Sequence, residues 1–236
     1  MVAAWTFTDS QSQLLSFTTG TVTFSGLNIG SAFADRVVVF CHGHDGNGFG
    51  LTVTSVTLNG TPMTLGLYVP RDTAGDAIGL WTMGVPTGTT CTIVVTYNFA
   101  AANVAVAMVG VLSGAANQVN QSNGYPSGFL PDPQTFTSSV PVYDFGIGVV
   151  FVMDAPSTVP QAALWAPPTT LDFQTNDAVV SRFYGAAHTT IPGAWQPSVR
   201  GTGGGNGLGF AGCCMVLGAW QQTGLETFIP LGASCL

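Results

Sequence analysis

Three histidines are the only imidazoles in this 236-residue chain, and two of them stand together in His42-Gly-His44-Asp45. Two histidines two apart on a strand end project to the same side, as a zinc pair requires. A metallohydrolase would need further His or Asp ligands, and the remaining histidine, His188, is remote in sequence. The residues His42, His44 and Asp45 are therefore the metal candidates, weighed against a plain polar loop at a strand end, which is the favoured reading. Asp45-Gly-Asn47-Gly supplies half a calcium loop without the later carboxylates such a loop uses.

Other chemistries find less. Serine hydrolysis needs an activated Ser with a His base and a carboxylate, and no Gly-x-Ser-x-Gly occurs. Glycoside hydrolysis needs two carboxylates flanking a cleft, and none of the eleven acids stands out as a pair. The glycine-rich 201–209 run lacks the Gly-Lys-Ser/Thr ending of a phosphate cradle and reads as a bend between strands. No catalytic residue and no cofactor is expected. Of the five tryptophans, Trp81 and Trp220 fall in strand patterns, whereas Trp165 and Trp195 lie in proline-rich loops. Those two are expected to contact a neighbouring subunit or to stack on sugars. Tyr125, Phe129 and Phe228 complete the set of candidate contact residues.

The elements that must position these residues are strands. Val37 to Cys41 is an unbroken apolar run, which reads as a strand covered on both faces. Asn59-Gly60 between β-branched runs is a hairpin signal, because a type I′ turn needs positive φ twice. Ile78 and Leu80 should face one way, Trp81 and Met83 the other. Cys91, Ile93, Val95 and Tyr97 should point inward between threonines. The 103–112 stretch is apolar on both faces, and recurrent Val favours strand over helix. In the 144–154 stretch, Phe145, Ile147, Val149, Phe151 and Met153 are expected on one side, with Gly146 and Gly148 leaving the other open to close approach. Residues 69–76 are expected as a loop, and Arg182 is expected to pair with Asp177 or Asp172.

These readings predict an all-β, jelly-roll-like antiparallel β-sandwich with an extended C-terminal arm. Residues 1–222 form a single domain, with a long contact loop over 113–141, and residues 223–236 form the arm. Only 6% of residues are charged, against roughly 25% in ordinary domains. There is no lysine, and the arginines are Arg36, Arg71, Arg182 and Arg200. A surface so poor in charge suits a subunit that meets water over part of its area. The net charge of −7 argues against nucleic acid as a partner. The longest charge-free apolar stretch, 99–112, is too short to span a bilayer, so no membrane partner is expected, and no secretory signal opens the chain. Cys41, Cys91, Cys213 and Cys214 read as buried thiols, while Cys235 is the candidate for an intersubunit disulfide.

Several of these motifs occur together. Val37-Val-Val-Phe40, the 53–63 stretch with Asn59-Gly60, Ile78-Gly-Leu-Trp81, Val85-Pro-Thr-Gly-Thr89 and Thr92-Ile-Val-Val-Thr96 follow one another in order. Over residues 34–220 the chain thereby resembles a β-sandwich protein recurring among the virion proteins of tailed bacteriophages. The later Ala178-Val-Val-Ser-Arg-Phe-Tyr-Gly-Ala-Ala187 and the glycine-rich close are similar too. The resemblance implies a virion location and a non-enzymatic structural role in capsid decoration, a head fibre or a tail accessory. Its implied partners are the major capsid protein or other virion subunits, including copies of itself as a homo-oligomer. No catalytic residues accompany it, and the His42–His44 loop and the cysteine-bearing tail depart from the pattern. The alternative is a glycan-binding module for host-surface recognition.

Overall fold

The computed structural model describes residues 3–14, 20–45, 50–70, 77–98, 104–119, 121–126, 134–135, 139–154, 162–165, 167–177, 182–202 and 214–221. In chain order the strands are β1 (Ala4–Leu14), β2 (Thr21–Asn28), β3 (Val37–Asp45), β4 (Val53–Leu58), β5 (Thr61–Pro62), β6 (Thr64–Pro70) and β7 (Ala77–Gly84). Then come β8 (Thr90–Tyr97), β9 (Val104–Ser113), β10 (Gln121–Pro126), β11 (Gln134–Thr135), β12 (Val140–Val142) and β13 (Ile147–Asp154). The last are β14 (Ala162–Trp165), β15 (Thr170–Asp177), β16 (Arg182–Thr189), β17 (Gly193–Trp195), β18 (Ser198–Thr202) and β19 (Cys214–Trp220). No helix occurs among the described residues. The chain is an all-β sandwich in which the paired strands run antiparallel. The strand orders establish the sandwich and not the jelly-roll connectivity.

The sandwich has three main layers. A central sheet of order β1-β9-β3-β7-β6 lies between a sheet β2-β8-β4-β5 and a sheet β10-β19-β13-β16-β15. Side-chain parity divides the central strands between two cores. Val37, Val39 and Cys41 pack with Met108, Leu112, Val149, Phe151 and Trp220. Val38 and Phe40 pack with Phe24, Trp81, Ile93, Val95 and Val109. This is the physical meaning of the non-alternating run, since a strand covered on both faces has no side for polar residues. β8 covers only one face, so its burial alternates strictly and Cys91, Ile93, Val95 and Tyr97 point inward. Ile78 and Leu80 enter the first core and Trp81 the second, as their alternation requires. Asn59 and Gly60 both have positive φ, at 48° and 82°, and make the expected tight turn.

Two small sheets, β11-β18-β14 and β12-β17, complete the architecture. Val142 of β12 and Trp195 of β17 lie against Gly148, where an added methyl would meet both. The bare side of β13 thus receives an element of the same chain. Val150 and Val152, on that side, are fully buried.

Several expectations need correction. The 113–141 segment is not one long loop: it contains β10, which pairs with β19 from Gln121–Ala219 to Pro126–Cys214, and also β11 and the start of β12. Its polar sequence has little strand propensity, so the neighbouring strand imposes the conformation. Val69 and Pro70 belong to β6, and residues 71–76 of that expected loop lie outside the described residues. Phe145 does not join Ile147, Val149, Phe151 and Met153 in the core. It sits at φ 59° in a turn closed by Gly146 N–H donating to Tyr143 O at 2.9 Å, and its side chain is 56% exposed. Turning the chain there rotates Phe145 out of the strand's alternation.

Candidate functional site

β3 carries both paired histidines into the interior. His42 and His44 follow Val38 and Phe40 in parity and are fully buried, with ring centroids 5.4 Å apart. The same-side expectation therefore holds, but the side is inward. Phe40 stacks on His42, Tyr97 approaches both histidines, and Tyr68 stacks on His44. A ladder of rings thus runs between the central sheet and its β8 neighbour.

Hydrogen bonding fixes the state of His42. Nδ1 lies 2.9 Å from Val106 O, a carbonyl that can only accept, so Nδ1 carries the proton. Nε2 lies 2.8 Å from the Tyr97 hydroxyl and accepts from it. Burial, then the neighbouring His44, hold the His42 pKa well below its ordinary value. Burial, and next Tyr68, push the Tyr97 phenol up. Both groups are therefore neutral at pH 7. His42 has no lone pair left for a metal, because one ring nitrogen is protonated and the other is occupied. His44 Nε2 lies 3.4 Å from both Leu51 O and the Tyr68 hydroxyl. Asp45 is the last residue of β3, opposite Val104. Among the described residues no group of three or more His, Cys, Asp or Glu side chains is placed to hold a metal ion. The favoured reading of a polar loop at the strand end is corrected: His42 and His44 lie within β3 and form a buried pair facing an aromatic core.

His188 belongs to a second polar site, in another layer. Its Nδ1 lies 2.7 Å from Asp172 Oδ1, while Trp5 Nε1 donates to Asp172 Oδ2 at 2.8 Å. Asp172 is the extra residue of a bulge in β15, between Leu171 and Phe173. The bulge re-aims its carboxylate toward β1, at the edge of the central sheet. Beside it Phe7 and Phe173 stack at 4.5 Å, so polar and aromatic contacts together clasp two layers. Asp172 with His188 supplies two members of a nucleophile triad. The second carboxylate oxygen is spent on Trp5, and no described hydroxyl or thiol is hydrogen-bonded to His188. Sequence spacing offered no sign of this pairing. Register instead sets Arg182 opposite Asp177.

Arg36 is the third polar feature that sequence reasoning missed. It is 1% exposed, and its guanidinium donates to six main-chain carbonyls, those of Ile29, Gly30, Ser31, Val85, Thr87 and Gly88. It pins together the turns that lead into β3 and β8. Its only sequence signal was being one of four cations in a chain without lysine.

The expected contact residues divide. Trp195 is 3% exposed, lies over Gly148 and donates from Nε1 to Thr169 Oγ1 at 3.1 Å, so it is a core residue and not a surface platform. Trp165 ends β14, paired with Val199, and Tyr125 lies in β10 opposite Met215. Phe129, Phe228 and Cys235 lie outside the described residues. Cys41 and Cys91 are buried, as expected, and burial pushes the Cys91 thiol up to about 11.

No known family model matches the chain, and no curated protein is significantly similar to it. No described helix is long and apolar enough to cross a membrane.

Proposed function

We propose that this chain is a non-enzymatic structural subunit of a virion, seated on the capsid shell of a tailed bacteriophage and held by contacts with the shell and with its own copies. One observation carries the reading: apolar side chains stand outward at one corner. Tyr143, Phe145 and Ile191 are 39%, 56% and 56% exposed. They flank the paired strands β12 and β17, whose register sets Val142 against Gly193. Phe145 also holds a left-handed backbone conformation that a bulky residue seldom adopts, and strain of that kind collects at contact sites. An apolar corner on a chain with 6% charged residues favours protein contact over solvent. The glycan-binding alternative loses Trp195, which is buried.

The test is light scattering of the purified chain together with co-sedimentation on tailed-phage capsids. The expected result is self-association or capsid binding that Phe145→Asp with Ile191→Asp abolishes while the fold persists. A stable monomer with no affinity for capsids would reject the reading.

A further inference from the structure

Asn59-Gly60 is the kind of dipeptide in which a side-chain amide cyclises most readily, because Gly60 has no Cβ to keep its main-chain nitrogen from the Asn59 carboxamide. Attack of that nitrogen on Asn59 Cγ expels ammonia and leaves a five-membered succinimide. Water then opens the ring to aspartate or isoaspartate. Both residues are exposed, so water is at hand. The fold, however, commits both ends of Asn59 to β8. The β4–β8 ladder ends at Leu58–Ile93. One step beyond, Asn59 N–H donates to Thr92 O at 2.8 Å, and Thr92 N–H donates to Asn59 Oδ1 at 2.8 Å. In a continuing ladder Thr92 N–H would bond the main-chain carbonyl of Asn59. At φ 48° the chain has already turned away, and the carboxamide oxygen takes that place.

We propose that Asn59-Gly60 is a self-modification site gated by the β4–β8 edge. It stays intact while Thr92 holds Asn59, and converts to aspartate or isoaspartate, with water as the sole co-reactant, once that edge opens. Cγ reaches Gly60 N only by rotating about Cα–Cβ, which gives up the bond from Thr92 N–H. Ring closure also brings Cβ, Cγ and Gly60 N into one plane, a main-chain geometry that a type I′ turn does not have. Leaving the turn gives up the bond to Thr92 O as well. Two bonds of ordinary net strength hold the closed state by a factor of roughly thirty. The product does not revert. Isoaspartate routes the main chain through the former side chain and so adds a methylene to a two-residue turn whose length sets the register. The Leu58–Thr61 pairing, and the Met63 N–H bond to Val56 O at 3.0 Å, then lose their alignment. None of this depends on what the chain binds.

Peptide mapping of the full chain with isoaspartate detection, folded and in urea at the same mildly alkaline pH, tests this. In urea Asn59 should convert as fast as Asn206, which also precedes a glycine. In the folded chain Asn59 should convert more slowly than in urea by about tenfold or more. Leu58→Ala removes the buried side chain that ends the ladder, and should raise the folded-state rate at Asn59 by about tenfold. Equal rates in the folded and unfolded chain, or a folded Leu58→Ala chain with the wild-type rate, would overturn the gate. If Leu58→Ala does not fold, the wild type in sub-denaturing urea decides. Its Asn59 rate should climb before global unfolding begins, and a rate that follows global unfolding alone would refute a gate at this edge. The purified isoaspartyl chain should exchange its Met63 amide about tenfold faster than the asparaginyl chain. Equal exchange would refute the lasting loss of register.

Discussion

The two faces of the central sheet are made by the same strands and are chemically different. One face is dry: Val37, Val39, Cys41, Met108 and Leu112 meet Val149, Phe151 and Trp220. The other holds aromatic rings and the buried imidazoles, with His42, His44, Tyr68, Tyr97 and Trp81 in ring contact. Only residue parity along β3 and its neighbours separates them. The dry face rests on shape, so its stability should respond to volume. The polar face is tied by the hydrogen bonds of His42 to Val106 O and the Tyr97 hydroxyl, so it should respond to lost partners and to pH.

The largest effect is expected at Arg36, beside the polar face. Arg36→Leu leaves six carbonyls without their donor, and a loss of about 4 kcal/mol in denaturant unfolding is expected. Arg36→Lys should recover only part of it, because an ammonium has three donors and cannot reproduce the fork. Full rescue by Lys would mean that charge alone matters there.

On the dry face the corresponding test is overpacking. A methyl added at Gly110 would overlap the Trp5 indole. Gly110→Val should therefore cost about 3 kcal/mol, measured by thermal or urea unfolding, with no dependence on pH. A neutral outcome would show that the Trp5 edge of the sheet yields easily.

His42 sharpens the comparison through pH. Its folded pKa is depressed, so below the ordinary value of 6.5 the unfolded chain binds a proton that the folded chain refuses. Stability is therefore fully present above that value and falls as pH drops through it, by about 1.4 kcal/mol per pH unit until folded His42 itself protonates. His42→Gln should reduce the slope of unfolding free energy against pH by about one proton over that window. An unchanged slope would place the acid sensitivity elsewhere.

How much of this was readable follows from what periodicity encodes. It gives the sidedness of a strand, so the two-faced run at Val37, the alternation of β8 and the Asn59-Gly60 turn were all legible. It does not say which sheet covers a face. The pairing of β1 with β9, about a hundred residues apart, has no local signature, and neither does the third layer. The glycines at 146 and 148 did signal close approach, but the approaching groups belong to the same chain, the main chain of Trp220 and Tyr143 at Gly146 and the Trp195 ring at Gly148. Phe145 was misplaced because alternation was extended one turn too far, into a left-handed residue. The histidine pair was correctly placed on one side of its strand. Its role was misjudged because burial between two sheets depends on the partner layer, which no spacing reveals.

The smallest effect concerns the clasp between layers, which lies at the margin of the dry face. Asp172 accepts from Trp5 and bonds His188, and both side chains of the Asp172–His188 pair are partly exposed, at 12% and 22%. Water can replace a bond lost at such a site, so Asp172→Ala should cost about 1 kcal/mol. The loss should fall mainly on Trp5, whose indole would need a new acceptor while its ring stays edge-on to Phe151 at 6.0 Å. Tryptophan fluorescence should therefore shift even where unfolding barely does. If Asp172→Ala instead cost as much as Gly110→Val, the clasp would be a main tie between the central and third sheets, and the dry face would depend on a polar lock at its edge.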